Sequence, residues 1–303
     1  MIRLQPWRLA AFVLLFCVAT LGFLFWWKTR PASDLRSQLK RVPAGSGTIV
    51  YIDLARLRQA GVLQLLKANR AAEDPDYRSF VNATGFDWRQ DLDTALLAFR
   101  QDERFILLTG RFDWLKISRY AKGTGGACEN SLCRVSSTRP EYTISLMVLR
   151  TGVLAMAVST DRYAARILAD TSARPKFEPP NDPIWLYLPK TALQPDEKTP
   201  PGIRAVLASL SSAERAFLSV GGTVAQIEVR LAADCAREET AEKIAVRLQD
   251  NTQLLRNLIA REGKTPSDED LSGVLTAGQF SRSGRQVTGQ WPVARKFIET
   301  LVR

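Results

Sequence analysis

Two cysteines separated by four residues are the side chains whose spacing most directly suggests chemistry. Cys128 and Cys133 lie in the segment GGACENSLCR. A structural zinc site would need further Cys or His ligands close by, and this sequence offers none. In an exported domain the spacing predicts a small disulfide-closed loop, whereas in a cytosolic domain the same residues would be two free thiols.

The complete absence of histidine narrows the chemistry further. It removes Ser-His-Asp and Cys-His nucleophile systems, His-ligated metals and imidazole pH switching. Mechanisms based on carboxylate, lysine or tyrosine remain open. We therefore expect a protein that is not an enzyme and that holds no cofactor and no metal, with a carboxylate-based hydrolase as the less favoured alternative.

Two further clusters resemble sites but have simpler interpretations. Asp87, Asp91 and Asp93 crowd the segment FDWRQDLD, yet their spacing is not that of a calcium loop, and Arg89 neutralises part of their charge. We interpret them as a helix cap followed by a solvated loop. The glycine-rich run at 123–126 follows a predicted helix, whereas a phosphate cradle follows a strand, so it predicts no nucleotide site.

Tryptophans at the ends of predicted elements raise one binding hypothesis. Trp185 and Trp291 could line an apolar groove for a partner peptide or a lipid, because aromatic side chains supply large apolar contact area. The alternative is ordinary packing in the core and at its rim.

The strongest positional signal is the uninterrupted apolar segment at residues 9–27. A helix of that length spans roughly 28 Å, about the thickness of the hydrocarbon core of a bilayer. Trp26 and Trp27 precede Lys28 and Arg30, the aromatic and basic order typical of a membrane interface. We predict an uncleaved anchor in contact with membrane lipid; a cleaved signal peptide and a buried soluble helix are the alternatives.

The charge pattern bears on orientation and on partners. Residues 1–41 hold seven Lys/Arg and one Asp, which leaves 35 basic and 30 acidic residues for 42–303, a net charge of +5. Dispersed charges of this kind argue against nucleic-acid binding. The basic-loop bias favours a cytoplasmic C-terminal domain, but long domains cross the membrane largely regardless of charge. We expect a single-pass protein of the bacterial inner membrane with its C-terminal domain outside the cytoplasm, and the cytoplasmic orientation as the alternative.

Hydrophobic periodicity predicts an α+β fold in which a βα-ββα-ββα module occurs twice, with antiparallel or mixed sheets. The predicted organisation is a tail at 1–8, the transmembrane anchor at 9–27, a basic juxtamembrane spacer at 28–47, a first repeat at 48–171, a Pro-rich linker at 172–183 and a second repeat at 184–303. The two repeats could form separate domains or one larger sheet.

Several elements are placed individually. Asp53 is expected to cap a helix, and a second helix is expected to begin near Asp113. A further helix is expected with Thr160 or Asp161 as its cap. The longest helix is expected over roughly 235–261. The segment VLTAGQF (274–280) is expected to be a strand, and the closing helix to begin at Pro292.

The segments VPAGSGTIVYIDLARLR, DYRSFVNATGFDWRQDLDTALLAF and GRFDWLKISRYA resemble uncharacterised bacterial envelope proteins. These share a VPA start, a Y-x-D-L-x-x-L-R phrase and an F-x-x-x-T-G-F-D phrase. The resemblance covers about 80 residues and implies a single N-terminal anchor or signal and an exported domain, without any activity.

The expected function follows from these points. We predict a membrane-anchored extracytoplasmic protein that binds or scaffolds another envelope component. An alternative is a binder of a lipid or small molecule with its pocket between the two repeats, since such pockets are common at domain interfaces. The sequence does not fix the oligomeric state.

Overall fold

The computed structural model describes residues 35–43, 45–65, 75–175, 177–194, 201–223 and 226–301. Within these ranges the chain forms twelve strands: β1 Ile49–Asp53, β2 Leu92–Arg100, β3 Glu103–Gly110, β4 Ala127–Glu129, β5 Leu132–Ser136, β6 Thr143–Arg150, β7 Val153–Ser159, β8 Ile184–Pro189, β9 Arg215–Thr223, β10 Gln226–Asp234, β11 Gln279–Ser283 and β12 Gln286–Val293.

Helices connect the strands. The α-helices are α1 Leu35–Leu39, α2 Leu54–Gln59, α3 Val62–Leu65, α4 Pro75–Thr84, α5 Trp88–Asp91, α6 Trp114–Gly123, α7 Pro201–Leu210, α8 Glu238–Arg261, α9 Leu271–Thr276 and α10 Arg295–Leu301. Two 3₁₀ helices, η1 Ala164–Ala169 and η2 Lys190–Leu193, complete the set in the described residues.

All twelve strands belong to one antiparallel sheet in the order β11-β12-β10-β9-β8-β1-β2-β3-β7-β6-β5-β4. The expected α+β class is therefore confirmed, with one large sheet. The strands of residues 184–303 run β8-β9-β10-β12-β11 outward from the centre. Those of residues 48–171 run β1-β2-β3-β7-β6 and then add the β5-β4 hairpin. The two sets meet where β1 pairs with β8, with Tyr51 opposite Trp185.

The sheet has two faces, named here by their central side chains. The front face carries Tyr51, Trp185 and Phe217, which belong to one core cluster. The back face carries Val50, Leu186 and Leu218, the paired residues one position along each strand. Because successive strand residues point to opposite faces, this assignment extends across the sheet by register.

Helices cover the faces unequally. On the front face of β1–β3 and β5–β7, Leu39 of α1 and Leu168 of η1 lie in the core. On the back face, α2 and α3 pack Leu54 and Leu63 near the start of β2. The long helix α8 packs Ile244 and Leu248 on the back of β10 and β12. Its last turns extend past the sheet, since Leu258 is 46% exposed.

Local capping follows the sequence. Asp53 accepts a hydrogen bond from the N–H of Arg56 and starts α2, and Asp113 accepts one from Lys116 and starts α6. A side-chain oxygen at this position satisfies an amide that the helix itself leaves unpaired. The predicted cap at Asp53 and the predicted helix start near Asp113 are both confirmed.

Three expectations were wrong in detail. The helix after Asp161 is a 3₁₀ helix without a side-chain cap. Val274 lies in α9 and the strand begins only at Gln279, because Asp270 caps a short helix there. Pro292 lies within β12 and α10 begins at Arg295. A proline is tolerated at this strand position because the pairing of β11 with β12 ends at Gln290.

Helix α1 lies inside the predicted spacer and packs on the domain, where Gln38 donates a 2.9 Å hydrogen bond to Thr94. The predicted anchor at 9–27 lies outside the described residues. Among the helices that are described, none has the length and apolar character needed to cross a membrane.

Candidate functional site

The front face of β9, β10, β12 and β11 carries no helix in the described part of the chain. Here α8 packs on the back, and the linker crosses the front only as far as β9 and β10. The open surface forms a depression of about 430 Å³. We call it the shelf and define it by eight of its residues: Pro180, Phe217, Ser219, Arg230, Gln279, Ser281, Thr288 and Gln290.

Two rows of paired residues form the floor of the shelf. In the first row Ser219 pairs with Arg230, Arg230 with Gln290, and Gln290 with Gln279. The second row runs through Phe217, Ala232, Thr288 and Ser281. Ser281 and Thr288 share a 2.7 Å hydrogen bond between their hydroxyls. The floor therefore offers amides and hydroxyls to a ligand, with one aromatic ring at its inner end.

Arg230 is the charged residue of the floor, and two carboxylates hold it. Its Nη1 donates to Asp182 Oδ1 at 2.9 Å, and its Nε and Nη2 donate to Glu228 Oε2 at 3.2 and 3.0 Å. The hydrogen bond with Glu228, with Asp182 adding to it, raises the pKa of Arg230 above its ordinary value. The guanidinium thus ties the linker to β10 and brings no net positive charge to the shelf.

Asp182 fastens the linker to the sheet through a second contact. The hydroxyl of Ser219 donates to Asp182 Oδ2 at 2.6 Å. The approach requires a glycine at position 221, since a Cβ there would lie 2.2 Å from Asp182 Oδ1. The absence of a side chain at Gly221 therefore lets Asp182 of the linker lie against the sheet.

An aromatic cluster lies beside the shelf and under the linker. Phe177 of the linker stacks on Tyr187 with ring centroids 4.4 Å apart and meets Phe217 edge-on at 5.5 Å. Trp185 stacks on Tyr51 at 5.4 Å, which joins the two central strands. Burial raises the pKa of the Tyr187 hydroxyl above its ordinary value.

Trp185 is the most deeply buried of these rings. Its side chain is fully buried, and its Nε1–H has no hydrogen-bond partner among the described residues. A buried donor without a partner costs on the order of 1–3 kcal/mol. This donor lies at the junction of the two halves of the sheet, under Phe177.

The predicted tryptophan groove is not assembled in this structure. Trp185 lies on the front face with the first core cluster, whereas Trp291 packs on the back face with Phe280. Both are buried, with Trp291 at 8% exposure. They belong to the core, and the open surface lies beside Trp185, on the front of the sheet.

The other predicted site residues lie apart from the shelf or outside the described residues. A disulfide joins Cys128 of β4 to Cys133 of β5, which form a directly opposed pair in a hairpin that was expected to be a loop. Asp87 caps α5, Asp91 pairs with Arg111 and Asp93 with Arg58, so the three carboxylates do not converge. Trp26, Trp27, Lys28 and Arg30 lie outside the described residues. The described residues include no group of Cys, Asp and Glu suited to a metal ion.

Sequence reasoning missed the shelf although a signal was present. The alternation in β10 marked it as a strand with one polar side. The same alternation occurs in QVTGQW, where Thr288 and Gln290 alternate with Val287 and Trp291. Two neighbouring strands with one polar side each predict an uncovered face once they are known to pair.

The fold defines the chain as an α+β protein built on a single antiparallel sheet. A solved structure with a similar fold is TP0453 in crystal form III, with a TM-score of 0.51 at 10% identity over 89% of this chain and 98% of that chain. For crystal form I the TM-score is 0.47 at 10% identity, over 90% and 98% of the two chains. The likeness concerns the fold alone. No protein-family model and no curated protein matches this chain.

Proposed function

We propose that this chain is a membrane-anchored, extracytoplasmic binding or scaffolding protein whose ligand docks on the shelf. The observation that carries the proposal is the open front face of β9–β12, where polar side chains surround Phe217 although helices cover the back of the same strands. Exposed amides and hydroxyls arranged in two rows can donate and accept several hydrogen bonds to one ligand.

The chemistry of the shelf indicates a neutral, polar ligand. Arg230 has its guanidinium engaged by Asp182 and Glu228, so an anionic ligand would have to displace a carboxylate. Gln279, Gln290, Ser281 and Thr288 can both donate and accept hydrogen bonds. A polyhydroxylated chain with amide groups fits this set of side chains.

A non-enzymatic role is part of the proposal. Its support is the absence of histidine from the chain and the hydrogen bonds that hold Asp182 and Glu228, the carboxylates beside the shelf, to Arg230. A hydrolase with two carboxylates needs one of them to be protonated and both to be near the reacting bond. Asp182 and Glu228 instead both accept hydrogen bonds from the Arg230 guanidinium.

Trp185 favours a second candidate function, a small-molecule or lipid binder with its pocket at the junction of the two halves. If Phe177 moved away, a ligand with an apolar body could occupy its place over Tyr187. An oxygen on that ligand could then accept the hydrogen bond that Trp185 Nε1 lacks in this structure. This site lies between the first strands of the two halves.

We further propose that the module is duplicated. The support is the matching strand order on the two sides of the β1–β8 pair, together with the helix that follows the third strand of each half, α6 in one and α8 in the other. Antiparallel pairing of the two first strands relates the halves by a local two-fold rotation normal to the sheet.

The membrane location is tested with a reporter that is active only outside the cytoplasm, fused to the C-terminus. In parallel, Cys128 and Cys133 are labelled with a maleimide without reductant. An active reporter and unlabelled cysteines are expected, because disulfides persist outside the cytoplasm. An inactive reporter with labelled thiols would place the domain in the cytoplasm and overturn the proposal.

The binding role is tested by hydrogen exchange of the full chain in detergent with chitotetraose, a neutral oligosaccharide that bears both amides and hydroxyls. Protection at β11 and β12 is expected, and Gln290→Ala should abolish it. Thr143→Val, on the other half of the sheet, is the matched control and should leave it unchanged. Absence of protection at β11 and β12 would contradict a ligand of this class on the shelf.

A further inference from the structure

The outer edge of the sheet differs between the two halves. In the first half β5 pairs with the outer side of β6, and the disulfide holds that hairpin closed. Strand β11 holds the corresponding place in the second half, and no described residue pairs with its outer side. An open strand edge is a template for another strand. The same position in the sheet is therefore filled by the chain itself on one side and open on the other.

The backbone of β11 shows which groups face outward. The carbonyl oxygen of Phe280 accepts a 3.5 Å hydrogen bond from Gln249 Nε2, a group outside the sheet. In an antiparallel strand, residues alternate between those that bond to the neighbour and those whose N–H and C=O point away from it. The outward pair of groups at Phe280 therefore recurs at Arg282, two residues further along.

We propose that the outer edge of β11 pairs antiparallel with β11 of a second copy of this chain, about a two-fold axis at Ser281. Phe280 then lies opposite Arg282 of the other copy and exchanges two hydrogen bonds with it. Symmetry repeats this at the second Arg282–Phe280 pair. Ser281 faces its own counterpart, and Gln279 faces Ser283.

The side chains of β11 are self-complementary in this register. On the back face each Arg282 is paired with Phe280 of the other copy, and an arginine and a phenylalanine can form a cation–π contact. Within its own chain, Arg282 Nη1 lies 3.8 Å from Glu238 Oε2, so the guanidinium would turn from Glu238 to the ring. On the front face Ser281 meets Ser281, and Gln279 meets Ser283, all of which can donate and accept hydrogen bonds. Directly opposed like charges, which would destabilise the pairing, do not occur.

The chain already uses this mode of association internally. The two halves join through antiparallel pairing of β1 with β8, so a β11–β11 contact would extend one sheet in the same manner. Residues paired over a single short strand bury little area, and the contact is expected to be weak in dilute solution. An anchor in a shared bilayer would raise the effective concentration of the copies.

Cysteine cross-linking tests both the contact and its register. The full chain, with Cys17→Ala and Cys235→Ala, carries Ser281→Cys and is oxidised in vesicles of phosphatidylethanolamine and phosphatidylglycerol. A disulfide-linked dimer is expected. Ser283→Cys, on the same exposed strand, is the matched control. In the proposed register the cysteines at position 283 of the two copies lie four residue positions apart along the strands. We therefore expect Ser283→Cys to give at least a tenfold lower yield of cross-linked dimer than Ser281→Cys.

A second variant tests the hydrogen bonds. Arg282→Pro in the Ser281→Cys chain removes an outward N–H, and we expect at least a tenfold loss of cross-linking, with the unfolding temperature measured alongside. Equal cross-linking by Ser281→Cys and Ser283→Cys would show random collision and overturn the proposal. If Ser281→Cys forms no cross-linked dimer, the proposal is overturned too, even where residues 1–34 are what prevents the contact. The result does not depend on the reporter assay or on the chitotetraose assay.

Discussion

The carboxylate of Asp182 lies against Gly221 in the space that a side chain at position 221 would fill. A Cβ added to Gly221 would lie 2.2 Å from Asp182 Oδ1. Gly221→Ala should therefore push the linker off the sheet and destabilise the protein by about 1–3 kcal/mol. Chemical denaturation measures the change. In an Asp182→Ala background, Gly221→Ala should lower the unfolding free energy by clearly less. Equal losses in the two backgrounds would show that the two residues are not coupled.

Phe177 is expected to hold the linker over the aromatic cluster. Phe177→Ala removes its contacts with Tyr187 and Phe217, and we expect a loss of about 2 kcal/mol. This is below the range for a fully buried phenylalanine, because Phe177 is partly exposed. The emission of Trp185 should change with it. Glu178→Ala is the control, since that side chain is 87% exposed and should alter neither quantity.

The hairpin disulfide should contribute modestly to stability. Cys128 and Cys133 are five positions apart, and closing so short a loop in the unfolded chain is worth about 2 kcal/mol in the chain-entropy account. Cys128→Ala combined with Cys133→Ala should lower the unfolding free energy by about that amount. An unchanged midpoint of chemical denaturation would contradict this.

Cys235 is a buried free cysteine, and its labelling reports whether the core around α8 is closed. Burial, with Asp234 and Glu214 adding to it, raises the pKa of its thiol, so the reactive thiolate is scarce. Maleimide should label Cys235 in the unfolded protein and leave it unmodified in the folded one. Rapid labelling of the native chain at Cys235 would show that the core around α8 opens readily.

Glu103 should make the stability depend on pH. Burial acts to raise the pKa of this carboxyl, but hydrogen bonds from Ser159 and Arg100 outweigh it, and the pKa lies below its ordinary value. The resulting stabilisation is present above the pKa of the unfolded chain and is lost as the pH falls through the folded value. Ser159→Ala should therefore cost about 1 kcal/mol near neutral pH and less in acid.

The measurement is chemical denaturation of the unchanged protein and of the Ser159→Ala variant across the acidic pH range. In a Glu103→Gln background the cost of Ser159→Ala should no longer vary with pH. If the cost of Ser159→Ala keeps its pH dependence without the Glu103 carboxylate, another titratable group is responsible and this account of Glu103 is wrong.

Much of the fold could be predicted from local signals. The alternation of Val229 and Leu231 with Arg230 predicted β10, and Asp53 and Asp113 predicted helix starts. Helix α7 was missed, and Val274 was assigned to a strand. In the second case a local preference lost to tertiary contacts, since Arg256 of α8 donates to the carbonyl of Thr276 and fixes the end of α9.

The candidate site could not be predicted as a site, because it arises from pairing between distant segments. Ser219 and Arg230 become neighbours only through the β9–β10 register, and Asp182 reaches them from the linker. No local pattern reports which face of a strand a helix will cover. The tryptophan hypothesis failed for the same reason, since Trp185 and Trp291 are separated by the sheet itself.

Helix α1 packs on the front face of the sheet through Leu39 and Gln38. If residues 9–27 form the anchor that we propose, only seven residues, 28–34, separate the end of the anchor from this helix. The eight Cα–Cα steps from Trp27 to Leu35 span at most about 28 Å when fully extended. The domain would then stay within a thin layer beside the membrane and would meet only ligands that enter that layer.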